Sequence, residues 1–399
     1  MVEIKEKRKT NDVKIYYKSL AYNGYTLFAP LLGNRAYLID MLGNICQMWE
    51  MKHPAGPHGK LLPSGNLLWM GRGPGAIEEL GGNATELVEV DWDGNEVWKY
   101  EDPYMHHDFV YLDNGNLIIL MYEEVPDKLQ SKIKGGIPGT EVDGKIIGVS
   151  VREINREKDT IWEWHGYKHL DIDNDIECAL DPRFVWGYTN SLAVFPNGDL
   201  LLSLRQLNTI ARIDRKSGDI IWRWGPEHMI GHQHCVSILE NGNILLFDNG
   251  YHRQPFKPSD PPDISDLEAS RPVELNPNNG EIVWEYRNPD IYTSGAGSAY
   301  RLPNGNTLLC ESFKGTFYEI TYNKEIAWKY VSPFSFHRKD IWGWIGDNFV
   351  FQAHRYGSDF AGFKGKDLDP ERYEWTIRKK SKIEIEEERI MDRLGKTGY

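Results

Sequence analysis

The feature that most restricts this chain is a turn that recurs along it. Asn23-Gly24, Ser64-Gly65, Asn114-Gly115, Asn197-Gly198, Asn241-Gly242 and Asn304-Gly305 each lie between apolar, strand-like segments. A tryptophan follows each turn in a second strand pair, at Trp49, Trp98, Trp162, Trp222, Trp284 and Trp328, with spacings of 49, 64, 60, 62 and 44 residues. Four strands per unit at a period of about 40 to 60 residues is the pattern of a β-propeller, whose sheets pack face to face around an axis. The expected fold is all-β: a six-bladed β-propeller of four-stranded antiparallel blades. Residues 1–365 form one propeller domain, with its ring closed by the N- and C-terminal segments, and residues 366–399 form a charged C-terminal arm.

One unit shows the reading in detail. Phe109 to Leu112 is strand A, Asp113 to Asn116 the turn, Leu117 to Tyr122 strand B, Gly148 to Ile154 strand C and Thr160 to Trp164 strand D. Asn-Gly suits a type I′ hairpin, whose two central residues both need positive φ. Strands alternate in direction, so the D-to-A and B-to-C connections share one face of the disc and the A–B and C–D turns share the other. The B–C connections are long, notably 123–147 and 249–270, so loops able to carry function gather on the first face. Within 123–147, Gly135-Gly136-Ile137-Pro138-Gly139-Thr140-Glu141 reads as a lid over the channel with glycine hinges. Segment 341–356 reads as a further strand pair that closes the ring onto blade 1.

With 59 acidic against 46 basic residues, the net charge of −13 argues against general nucleic-acid binding and against attraction to anionic membranes. It leaves room for a local basic pocket and an anionic small molecule. No run of about 18 apolar residues occurs. The segment Met1 to Lys9 is charged and lacks the apolar stretch of a secretory signal. A cytoplasmic protein is expected. Cys46, Cys178, Cys235 and Cys310 show no CxxC spacing and read as buried free thiols.

The rim of the channel is where chemistry-bearing side chains recur. The position eight residues before the turn glycine is His107 in blade 3, Asn190 in blade 4, His234 in blade 5 and Gly297 in blade 6. The ends of strand B carry Arg205 in blade 4, Asp248 in blade 5, and Glu311 with Ser312 in blade 6. His106 and His232 stand beside the rim histidines, and Tyr188 precedes Asn190. Imidazoles repeated at one register suit acid/base or nucleophilic work, because they titrate near neutrality. Asp248 and Arg253 either pin their loop as an ion pair or face a substrate. His53, His58, His165, His169 and His228 share no such register and read as surface or packing residues.

These residues resemble the arylsulfotransferase (ASST) superfamily of six-bladed propellers over about residues 20–365. The resemblance is carried by His107-Asp108 with Leu112-Asp113-Asn114-Gly115-Asn116, by Trp186 to Asp199 with Arg205, by His234 with Phe247-Asp248-Asn249-Gly250 and Arg253, and by Leu302-Pro303-Asn304-Gly305-Asn306-Thr307. It implies transfer of a sulfuryl group between phenols, with no metal or nucleotide cofactor, through a histidine at the channel mouth. His107 and His234 would be the acid/base or oxyanion-binding histidines and Arg253 the anion clamp, since a planar guanidinium matches sulfate oxygens. The family's covalent histidine lies in the final blade, where this chain carries Glu311 and Ser312. The alternative on the same scaffold is a lyase, hydratase or hydrolase that uses His107, His234 and Glu311. A metal-assisted form of it would draw ligands from His106 or His107, His234, and Asp248 or Glu311. Either enzyme acts on an anionic, aromatic small molecule.

Overall fold

The computed structural model describes residues 12–77, 79–225, 230–253, 269–334 and 348–373. Its sheets are six four-stranded antiparallel blades around one axis. Blade 2 runs Ala55–Leu61, Leu67–Gly71, Glu86–Val90 and Glu96–Glu101. Blade 3 runs Met105–Tyr111, Leu117–Glu124, Ile147–Ile154 and Thr160–His165. Blade 4 (Thr189–Val194, Leu200–Leu204, Thr209–Ile213, Ile220–Trp224) and blade 5 (His234–Ile238, Ile244–Asp248, Arg271–Leu275, Ile282–Glu285) follow in the same order. Blade 6 is Ser298–Arg301, Thr307–Glu311, Thr316–Ile320 and Ile326–Val331.

Blade 1 is built from both ends of the chain. Its innermost strand is Val350–Gly357, followed outward by Gly24–Pro30, Arg35–Ile39 and Ile45–Glu50. The C-terminal segment thus supplies one closing strand where a strand pair was expected, and Ile341 to Trp344 lie outside the described residues. Asn23-Gly24 is therefore not a hairpin turn. Gly24 opens strand B opposite Gly357, at the level where the other blades turn. A Cβ on Gly24 would lie 2.1 Å from the Tyr356 carbonyl oxygen, so close backbone approach explains this glycine. A second tie comes from Val13–Tyr16, which adds a fifth strand outside blade 6. At the same end, the fully buried Arg355 of blade 1 pairs with Glu319 of blade 6 at 3.2 Å and donates to the Tyr22 carbonyl.

The five remaining turns are hairpins of a different type from the one expected. In blade 3 the Gly115 N–H donates to Leu112 O and the Leu112 N–H to Asn116 O. Only the glycine has positive φ, 87° at Gly115, while Asn114 does not. This is a type I turn closed by a left-handed glycine, the three-residue G1-bulge hairpin, with Asn114 Oδ1 accepting from the Asn116 N–H at 3.0 Å. Gly65, Gly198, Gly242 and Gly305 repeat the pattern, with φ between 81° and 91°.

Tryptophans then lock each blade to the next. Trp49, Trp98, Trp164, Trp224, Trp284 and Trp328 each donate the indole N–H to a backbone carbonyl in the following blade's C–D turn: Asp91, Arg156, Gly218, Gly280, Tyr322 and Met41. The sixth bond returns to blade 1, so the ring of pegs is closed. In blades 3 and 4 the pegs are Trp164 and Trp224, not the expected Trp162 and Trp222, which are half-buried. Both pairs stand two residues apart on one face of a strand, so alternation alone did not distinguish them. The C-terminal arm is described to Tyr373, whose hydroxyl bonds Gln47 of blade 1. Residues 374–399 lie outside the described residues. Among the described residues, no helix is long and apolar enough to cross a membrane.

Over blades 3 and 4 the loop face carries a cap. Gly135–Ile137 of the blade 3 B–C connection pairs in parallel with Glu177–Pro182 of the connection from blade 3 to blade 4. Of the glycines expected as hinges, Gly135 and Gly136 are packed, whereas Gly139 is exposed with open space around it. A Cβ on Gly135 (φ 83°) would lie 2.1 Å from Glu177 O, and one on Gly136 would strike Arg183.

Candidate functional site

Strand A begins on the loop face, and there the rim residues differ sharply in how they are used. Phe351 packs edge-on against both His107 and His234, its ring centroid 5.9 Å from the first and 6.1 Å from the second. Phe351 comes from the C-terminal closing strand, so no spacing within the repeat could reveal it. His234 has both ring nitrogens engaged: Nδ1 with Asn249 Oδ1 at 2.7 Å and His232 O at 3.0 Å, and Nε2 accepting from the Ala296 N–H at 3.1 Å. Burial holds its pKa down at about 3, so it stays a neutral imidazole cross-linking blades 5 and 6. Asn190 is likewise buried and donates to Gln233 O at 2.8 Å.

His107 is the freer of the two rim imidazoles. Its Nδ1 sits 2.9 Å from Nδ1 of His106, so one proton is shared between them. When His107 is the donor, its Nε2 presents a lone pair. Burial keeps both imidazoles neutral, His106 down at about 3 and His107 well below its ordinary value. His106 stacks on Tyr122 at 3.9 Å, and His107 meets the ring of Tyr188 edge-on at 5.2 Å. Both phenols donate to Gly81 O, at 2.8 and 3.2 Å. The Gly81-Gly82 pair closes over them tightly, since a Cβ on Gly82 would lie 2.2 Å from His107 Nε2.

Two expected substrate contacts are structural here. Arg253 is buried and pairs with Asp248 at 2.8 Å; Asp248 also takes Arg271 at 2.9 Å and the N–H groups of Gly231 and Gly250. The loop-pinning reading of Asp248 and Arg253 is the one realised. Glu311 holds blade 6 together, through Lys314 at 2.6 Å, the Tyr292 N–H at 3.2 Å and the Tyr318 hydroxyl at 3.3 Å. His58, expected to pack, is buried and bonds Asp108 at 3.0 Å. Burial alone would raise the Asp108 carboxyl, but the Lys60 ammonium and this imidazole outweigh it and hold it below the usual range.

The arginine that faces polar chemistry is Arg205. Its guanidinium lies 5.5 Å over the Tyr188 ring and 3.4 Å from Asp181 Oδ2. Asp181 gathers a group that the sequence did not suggest. His232 Nε2 bonds its Oδ2, His252 Nδ1 lies 3.5 Å from its Oδ1, and Cys178 Sγ lies 3.6 Å from the same His252 nitrogen. Asp181 and Cys178 sit on the cap strand, while His232 and His252 stand in blade 5 connections at positive φ of 57° and 53°. Only the parallel pairing of the cap brings these segments together. The metal set expected from His106 or His107, His234, and Asp248 or Glu311 is not what converges; among the described residues, Cys178, Asp181, His232 and His252 do.

Among solved structures, the chain is similar to a protein of unknown function from Bacteroides caccae, with TM-score 0.51 and 13% identity over 84% of this chain and 98% of that one. It is also similar to a streptogramin B lyase, with TM-score 0.44 and 12% identity over 86% and 97% of the two chains. At such identities the first likeness speaks for the fold alone. No curated protein sequence matches the chain significantly. The arylsulfotransferase (ASST) family model matches residues 63–333, more than half of the chain, from the second strand of blade 2 through blade 6, so this six-bladed propeller belongs to the arylsulfotransferase family.

Proposed function

We propose that the protein is a sulfuryl-transfer enzyme acting on an anionic aryl donor at the loop face, with Arg205 as anion clamp and His107 as the group-accepting or proton-moving imidazole. The observation that carries this reading is the contiguity of Arg205, Tyr188 and His107 on a propeller of this family. In the transfer, the lone pair of His107 Nε2 forms an N–S bond as the aryl O–S bond breaks, and the departing phenolate keeps that bond's electrons. Tyr188, kept protonated by burial, supplies a hydrogen bond to the phenolate. A second phenol then takes the sulfuryl group by the reverse displacement and restores the imidazole, and the proton it releases to solvent balances the one the first phenolate takes up on leaving. Neutral His107 suits the first step, because a protonated imidazole has no lone pair to offer. Access to Nε2 requires the Gly81-Gly82 segment to move aside.

The test is turnover of para-nitrophenyl sulfate with phenol as acceptor. Product that depends on phenol is expected, with His107→Ala abolishing turnover. Arg205→Ala should raise KM by about ten- to a hundredfold, the loss of one charge-assisted contact. Undiminished turnover by both variants would remove the reading.

A further inference from the structure

We propose that Cys178, Asp181, His232 and His252 bind a divalent transition-metal ion, zinc by the softness of the donor set, that clips the cap to blade 5. This stands independently of the transfer reaction above. The four residues' ligand atoms lie within 4.8 Å of one another. Ligands at about 2.0–2.1 Å for nitrogen and oxygen and about 2.3 Å for sulfur, arranged tetrahedrally, stand about 3.3–3.6 Å apart. The 3.6 Å between Cys178 Sγ and His252 Nδ1, and the 3.5 Å between that nitrogen and Asp181 Oδ1, are tetrahedron edges of this size.

The direction of the contacts separates a metal site from a catalytic triad. In a Cys–His–Asp relay, the carboxylate and the thiol meet different nitrogens of the imidazole. Here both meet Nδ1, and one nitrogen cannot donate to a carboxylate while accepting from a thiol. Four donor atoms gathered within 4.8 Å of one another are instead what a cation requires, with His232 exchanging its bond to Asp181 for the ion. Binding balances charge as well: Cys178 loses its thiol proton to become thiolate, Asp181 is anionic, and the two imidazoles are neutral, which cancels a dication. Asp181 and His232 are buried while Cys178 and His252 are half-buried, leaving the ion an entry path from the loop face. Cap and blade would then be joined by bonds rather than by loop contacts alone. A closed set of four protein ligands is the arrangement of structural zinc sites.

Cobalt(II) and zinc are the probes. Full-length protein stripped with chelator and reloaded should hold one ion per chain by elemental analysis. With cobalt it should show the intense visible bands of a tetrahedral ion and a thiolate charge-transfer band. Cys178→Ser, nearly isosteric, should lose the charge-transfer band. The Cys178→Ser/His252→Ala double variant should retain the far-UV circular dichroism of the parent and bind no cobalt at equimolar metal. A parent chain that binds neither ion stoichiometrically, or bands that persist unchanged in Cys178→Ser, overturns the proposal.

Discussion

His107 and His234 share a repeat register, yet only His234 has both ring nitrogens engaged in hydrogen bonds. The difference lies in what the neighbouring connections offer: Asn249 and the Ala296 N–H reach His234, whereas Gly82 merely packs against His107. Register was legible in sequence; hydrogen-bond partners from other blades were not. The two arginines make the same point. Arg253 sits in the more suggestive motif but is consumed by Asp248, and Arg205 faces the phenol and imidazole group. Arg253→Ala is therefore expected to destabilise the protein by about 3 kcal/mol through a buried, partly uncompensated Asp248. A denaturant titration should show a lower midpoint, whereas Arg205→Ala should lower it less, because its partner Asp181 keeps the His232 bond. Equal losses for the two would contradict the division of roles.

At the scale of elements, the hairpins and the cap show where local signals suffice. The Asn-Gly turns were readable because a left-handed glycine is a local demand of the backbone; the turn type was not, because type I′ and G1-bulge hairpins share the same dipeptide. The cap strand Glu177–Pro182 was missed altogether. It is short, carries charged residues and is stabilised by a parallel partner 42 residues earlier, at Gly135. No periodicity announces such a pairing. Gly135→Ala should unseat it, because the added methyl group meets Glu177 O at 2.1 Å and the residue holds φ 83°. Faster proteolysis confined to the 130–185 region is the expected readout, with the blade core still protected in hydrogen exchange. A cleavage pattern identical to the parent's would mean that the cap does not depend on that close approach.

For the whole molecule, the inner ring buries imidazoles that remain neutral. His106, His107 and His354 are all held below the ordinary value of 6.5, first by burial, with His106 down at about 3. In the unfolded chain these groups take up protons near 6.5; in the fold they resist. Their contribution to stability is thus complete above about pH 6.5 and is lost as pH falls from there toward about 3. Each excluded proton contributes about 1.4 kcal/mol per pH unit within that window, and the buried His232 and His234 add to it. Thermal melting should fall steadily below about pH 6.5, and His354→Phe should make the slope shallower. A melting temperature constant from about pH 7 to about pH 4 would refute it.

By itself the sequence determined the propeller. Left-handed turn glycines in five blades, with alternating apolar strands and a tryptophan in each unit, are local requirements, and repetition makes them visible. It also determined that imidazoles and arginines collect on the loop face, since strand direction fixes which ends meet. Tertiary structure alone decided which of those side chains are engaged with neighbours and which face one another. Phe351 meets both rim histidines because the C-terminal strand completes blade 1. Asp181 meets His232 and His252 because a cap from blade 3 crosses to blade 5. Both arise from contacts between distant parts of the chain, whose closeness is set by ring closure and loop packing rather than by any neighbour in sequence.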